Sequence, residues 1–145
     1  MSRSDFSFFH SLRVRWAEAD MQGIVFNGHY LTYFDVAFTE YFRAAGLPGA
    51  LLQAASGKEM FTRKATLEYI APARFDDVIE IGMRCAGLGR SSMRLVVEIY
   101  RGEQQLIAGE LIYVHVDTAL RKGVAIPDDW RATITAFEKL TPGQL

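Results

Sequence analysis

The spacing of apolar residues changes character along the chain, and each change outlines an element. From Phe8 to Trp16, the residues Phe8, Leu12, Val14 and Trp16 share one parity with His10 among them, the alternation of a half-buried strand. The stretch from Ala17 to Gly28 holds two glycines and no helical period, so it reads as a loop. From about His29 to Ala45 the period becomes three to four, through Tyr30, Leu31, Phe34, Ala37, Phe38, Tyr41, Phe42 and Ala45, which predicts an amphipathic helix. Asn27 suits its N-cap, Gly46 its left-handed C-terminal residue, and Pro48 blocks continuation. At 1.5 Å per residue this helix is roughly 26 Å long. Its wide aromatic stripe calls for a concave partner.

After an ambiguous stretch from Leu47 to Met60, in which Gly49 to Ala55 suits a short helix, four alternating segments follow: Phe61 to Ala71, Val78 to Gly87, Ser92 to Arg101 and Leu106 to Val116. In the last, Leu106, Ala108, Ile112, Val114 and Val116 form the expected inner parity. The joints are short, so antiparallel neighbours in a meander are expected. Pro127 then opens a final short helix carrying Trp130, Ile134 and Phe137. The order predicts an α+β fold, a five-stranded antiparallel sheet wrapped around one long helix, in a single domain over residues 1–145. The opposite sheet face would keep Val78, Val96, Tyr100, Ile107, Leu111 and Tyr113, and together with the edge strands it predicts a homodimer or homotetramer.

Composition narrows the function classes. Sixteen Lys and Arg balance seventeen Asp and Glu, for a formal charge of −1, which gives no global attraction to nucleic acid or an anionic membrane. No apolar run reaches the ~18 residues of a membrane span. The single cysteine, Cys85, suits a reducing compartment, and no signal-like segment opens the chain, so a cytoplasmic address is expected. His10, His29 and His115 are far apart and form no metal motif. There is no G-x-S-x-G elbow and no P-loop, and Gly87-x-Gly89 lacks the third glycine and the helix of a dinucleotide site. Cys85, on an apolar strand face, reads as core filler.

What remains is Asp20, in a glycine-containing loop ahead of the helix. By residue type alone it reads as a turn aspartate, the default for an aspartate beside glycine. The segment Asp20-Met21-Gln22-Gly23-Ile24-Val25-Phe26-Asn27-Gly28-His29-Tyr30, however, resembles the D-x-x-G-[IV]-V-aromatic-x-x-x-Y signature of hotdog-fold thioesterases of the 4-hydroxybenzoyl-CoA thioesterase family. The likeness continues through Tyr33-Phe34-Asp35, Tyr69 to Asp77, Gly89-Arg90-Ser91-Ser92 and Ile126 to Trp130. The resemblance implies the hotdog fold and hydrolysis of an acyl- or aryl-CoA thioester, with no metal or organic cofactor.

On that resemblance, Asp20 matches the catalytic aspartate, a nucleophile or a general base towards water. Backbone N–H groups at the helix N-terminus, Asn27 first and Gly28 next, would steady the oxyanion. Relatives often carry His or Tyr at Asn27 and Asn at His29, so the implied donor is the backbone. Gly23 would let the loop approach the substrate, His29 would contact the acyl group, and Phe26, Tyr30 and Phe34 would line its pocket. Arg90, Ser91 and Ser92 match the CoA-side block, with Arg74 a second phosphate candidate. Glu40 and Glu68 are the alternative carboxylates. The rival functions are an acyl-thioester hydratase of the same fold, which would need a histidine absent from this loop, and a non-catalytic acyl-binding module.

Overall fold

Helix α1 (His29–Ala45) turns Tyr30, Tyr33, Phe34, Ala37, Phe38, Tyr41 and Phe42 into the core, and an antiparallel sheet curls round that stripe. The computed structural model describes residues 2–145. The main strands are β1 (Phe9–Arg13), β2 (Lys58–Tyr69), β3 (Val78–Leu88), β4 (Ser92–Arg101) and β5 (Gln104–Asp117). They lie in the order β1-β3-β4-β5-β2, all neighbours antiparallel. A short α2 (Ala50–Ser56) precedes β2, and β6 (Lys122–Gly123) pairs with β5. Next comes α3 (Asp128–Phe137), capped by Pro127, and β7 (Gly143–Gln144) pairs with β3. The expected long helix, five main strands and closing short helix are all present, with β6 and β7 as two-residue additions. No described helix is long and apolar enough to cross a membrane.

Four expectations change. The first strand ends at Arg13, opposite Val78, rather than at Trp16. Beyond Val78 there is no β3 left to pair with, and the chain curls into a 3₁₀ turn over Trp16–Glu18. Helix α1 starts at His29 as expected, but its N-cap is Gly28 rather than Asn27. His29 N–H donates to the Phe26 carbonyl (2.9 Å), so a turn through Asn27 precedes the helix, and Gly28 is the N-cap with no side-chain bond.

The meander holds only for β3, β4 and β5. β2 pairs with β5 at the opposite edge, so residues 70–77 cross the end of the sheet. Eight extended residues reach up to about 26 Å, ample for three strand spacings of ~4.8 Å. Finally, β5 turns its odd residues inward. Between Tyr100–Gln105 and Ile99–Ile107 the register slips by one, and this bulge buries both Leu106 and Ile107. One extra residue flips every later side chain, so Leu111 and Tyr113 belong to the core. Gly109 on that inner face lies so close to Phe34 that an added Cβ would meet its ring at 2.8 Å.

The outer sheet face is therefore not the apolar surface expected of it. Arg94 pairs with Glu110 across it (3.2 Å). Arg3 pairs with Glu80 and lies over the rings of Phe9 and Tyr100. Of the two edge strands, β1 and β2, the longer is β2, twelve residues with most side chains exposed.

At the far end from the Asp20 loop, Glu138 fills a gap in the pairing of β3. Its Oε2 accepts the Cys85 N–H (2.7 Å) and the Tyr41 hydroxyl (2.5 Å). Burial pushes the Glu138 carboxyl up, against the pull of those hydrogen bonds. Burial, with Glu138 beside it, also pushes the Cys85 thiol up to about 12, which leaves it inert as a nucleophile. A carboxyl raised on folding contributes stability below its unfolded value near ~4.3 and loses it as pH rises through the folded value. Glu138→Gln removes that loss. Its melting temperature relative to the parent is expected to climb as pH rises above the unfolded value near ~4.3, and a difference constant with pH would contradict the assignment.

Candidate active site

Asp20 opens a tight hairpin. Its N–H donates to the Ile24 carbonyl (2.8 Å) and its carbonyl accepts from Gly23 N–H (3.0 Å). Gly23 sits at φ +77 with open space around its Cβ position, so the turn alone accounts for glycine there. The Asp20 carboxylate is half-buried. Its Oδ1 accepts the Gln22 N–H (2.8 Å), while Oδ2 takes no hydrogen bond from the described residues. The carboxylate is thus held from one side and open on the other.

The hairpin is fastened to the sheet-crossing segment. Val25 N–H donates to the Ala73 carbonyl (2.9 Å), Phe75 N–H to the Gly23 carbonyl (3.2 Å), and Ile24 bridges Arg74. Asp20, Ile24, Phe26, Asn27 and Tyr30 then line one cavity of about 380 Å³, closed on its other side by Tyr69, Ile70, Ala71 and Pro72. Asn27 and the adjacent Gly28 are exposed. Their backbone N–H groups take no partner from the described residues and stand at the positive end of α1. The Asn27 carbonyl accepts the Tyr69 hydroxyl (3.3 Å). Tyr30 is a wall residue, 2% exposed. Its hydroxyl accepts the Ala73 N–H (3.0 Å), and burial pushes that hydroxyl up.

Other expected residues lie elsewhere. His29 stands edge-on to Phe26 but does not line the cavity, and Phe34 is buried against Gly109. Arg74 is exposed at the rim; Asp76 pairs instead with Arg13 and Asp77 with Arg101. Arg90, Ser91 and Ser92 follow the end of β3, whereas the hairpin packs near its start. The eleven residues of β3, up to roughly 35 Å of strand at ~3.3 Å each, separate them within one chain. Among the alternative carboxylates, Glu40 pairs with Arg43 (3.7 Å) and Glu68 is exposed on β2. Neither lines the Asp20 cavity.

One buried carboxylate went unread. Glu18, 7% exposed, accepts the Arg15 N–H (2.9 Å), the Arg15 Nε–H (2.6 Å) and the Tyr33 hydroxyl (2.8 Å). Burial pushes its carboxyl up, but these hydrogen bonds and the Arg15 charge outweigh it and hold the group below the usual range. Its only trace in the sequence is a second acid two residues before Asp20.

A second cavity, about 350 Å³, lies between α1, α2 and the first half of β2, lined by Asp35, Phe38, Phe42, Gln53, Phe61 and Tyr113 among others. It contains none of the expected site residues.

Residues 22–108 match the model of the thioesterase superfamily. The chain is 31% identical over 117 residues to the acyl-CoA thioester hydrolase YbgC of Escherichia coli O6:H1, across 80% of this chain and 87% of that protein. The crystal structure of the PA5185 protein from Pseudomonas aeruginosa superposes with a TM-score of 0.82 at 28% identity, covering 98% of this chain and 97% of that one. A 1,4-dihydroxy-2-naphthoyl-CoA thioesterase from Synechocystis shares the fold, with a TM-score of 0.81 at 20% identity over 88% of this chain and 94% of its own.

Proposed function

The chain belongs to the thioesterase superfamily; from that premise we propose that it is an acyl-CoA thioester hydrolase, cleaving an acyl- or aryl-CoA thioester to the free acid and CoA at the Asp20 hairpin. One observation carries this reading. A carboxylate with an open oxygen and Asn27, whose backbone N–H is unpartnered, line the same cavity, with the unpartnered N–H of Gly28 next in the chain. Asp20 attacks the thioester carbon, giving an anhydride that water opens, or it takes the proton from an attacking water. In either route the carbonyl oxygen gains charge that the two N–H groups and the α1 dipole stabilise, and CoA leaves as thiolate. Phe26, Tyr30 and Ile70 offer an apolar wall for a ring or a short chain.

The working unit in this reading is a homodimer, and what supports it is the free edge of β2, a strand of twelve residues. Such an edge favours pairing with another strand. A two-fold antiparallel pairing of β2 with its copy sets the Arg90 end of one protomer beside the Asp20 end of the other. Arg90, Ser91 and Ser92 would then grip the CoA phosphates of a thioester held by the partner's Asp20, whereas within one chain the two groups lie at opposite ends of β3. Arg74, at the rim beside Ile24, would meet the same CoA from the protomer that carries the hairpin.

A panel of aryl- and short acyl-CoA substrates, followed by free-thiol release, tests the activity. At least one is expected to turn over with kcat/KM of ~10⁴ M⁻¹s⁻¹ or more. Binding of these thioesters without thiol release would overturn the reading in favour of a non-catalytic module.

A further inference from the structure

We infer that Glu18 is a positioning residue for this site, tying the Asp20 hairpin to α1 and so fixing the Asp20 carboxylate relative to the N–H groups of Asn27 and Gly28. The inference rests on the site proposed above. Glu18 holds both arms of the hairpin. Its own position lies two residues before Asp20, and its carbonyl accepts the N–H of Phe26 (3.0 Å), one residue before Asn27. Its carboxylate holds the helix as well, because Tyr33, fully buried in the second turn of α1, donates its hydroxyl to Oε1 (2.8 Å). Tyr33 in turn stands edge-on to Tyr30 (5.9 Å), and Tyr30 holds the Ala73 N–H while Ala73 holds Val25. The result is a closed circuit of hairpin, helix and sheet-crossing segment. Glu18 is where main chain and side chain enter it together.

Stability alone does not account for a carboxylate here. An apolar residue of similar volume commonly packs as well as a buried ion pair or better, and the Arg15 partner reaches in from solvent with its side chain 68% exposed. What the carboxylate supplies is direction. Tyr33 and the Arg15 N–H share Oε1 while the Arg15 guanidinium takes Oε2, so the group has one orientation and the hairpin one height above the helix. Chemistry at a thioester is sensitive to such placement, since a 1 Å error can cost ~10²-fold in rate. Grip on the distant CoA phosphates is not.

Glu18→Met, which keeps the side-chain volume but leaves no acceptor for the Tyr33 hydroxyl, and Tyr33→Phe are therefore each expected to lower kcat by about 10- to 100-fold with KM within about twofold of the parent. The double variant is expected to be no slower than the slower single one, because both cut the same link. Tyr41→Phe, which deletes a buried hydroxyl bond on the same helix far from the hairpin, is the control. It is expected to lose stability and keep kcat. Hydrogen exchange gives a readout independent of turnover. In Glu18→Met the amides of Gly23, Val25 and Phe26 should exchange at least about tenfold faster while those of β3 and β4 keep parental rates. A parental kcat in Glu18→Met, a kcat loss matched by Tyr41→Phe at equal loss of stability, or unchanged hairpin exchange would each overturn the inference. A parent protein that releases no thiol would refute the site reading instead, and the exchange rates would still decide whether Glu18 fixes the hairpin.

Discussion

Asp20→Asn is expected to lower kcat at least ~10²-fold, because general-base work alone contributes ~10²–10⁴ and the amide can serve neither as base nor as an effective nucleophile. The substitution keeps the volume of the side chain, and its amide oxygen can still accept the Gln22 N–H that Oδ1 now accepts. The turn, fold and CoA contacts are therefore expected to persist, with binding unchanged or tighter as a negative charge leaves the neighbourhood of an anionic ligand. Steady-state thiol release and circular dichroism read the two halves of this expectation. Asp20→Glu should also be slow, since one methylene moves the carboxylate beyond near-attack geometry. A turn aspartate with no chemistry would behave in the opposite way, keeping both fold and rate.

The second large effect concerns the composite site. Arg90→Ala is expected to raise KM about 10- to 100-fold with kcat little changed, as loss of a charge-assisted phosphate contact costs ~1.5–3 kcal/mol in both ground and transition states. Asp20→Asn is nearly inert, so neither homodimer works well at low substrate. Mixed dimers differ. If the Arg90 of one protomer serves the Asp20 of the other, each mixed dimer holds one doubly broken site and one intact site. Random assortment of equal amounts should then restore about a quarter of the parental kcat/KM. If both residues served the same chain, no intact site would form, and activity would stay at a few per cent or below. Co-expression of two differently tagged variants, with kcat/KM measured at low substrate, separates the cases.

The sequence revealed the parts of this fold that repeat with a period and missed those set by a single residue. Helix α1 was legible because seven buried side chains recur on one face and Gly46 closes it in the left-handed region. The inner face of β5 was not, because the bulge at Leu106 shifts parity by one and no local pattern marks it. The position of β2 was also hidden. Its alternation fits a strand at either place, and only the sheet-crossing path of residues 70–77 puts it beside β5 rather than β3. The Asp20 hairpin was legible through the glycine and the aromatic spacing of residues 20–30. The distance of Arg90 from that hairpin was not, because a motif fixes order along the chain and says nothing of which end of a strand each block occupies. Glu18 escaped because its significance lies in a hydrogen bond to Tyr33, fifteen residues away.

The measurement closest to the central claim is single-turnover thiol release with enzyme in excess, run on the parent and on folded Asp20→Asn with the best substrate of the panel. It isolates the chemical step from substrate binding and product release. The account predicts that the variant binds the thioester and releases thiol at least ~10²-fold more slowly. Thiol release by Asp20→Asn at the parental single-turnover rate would contradict it.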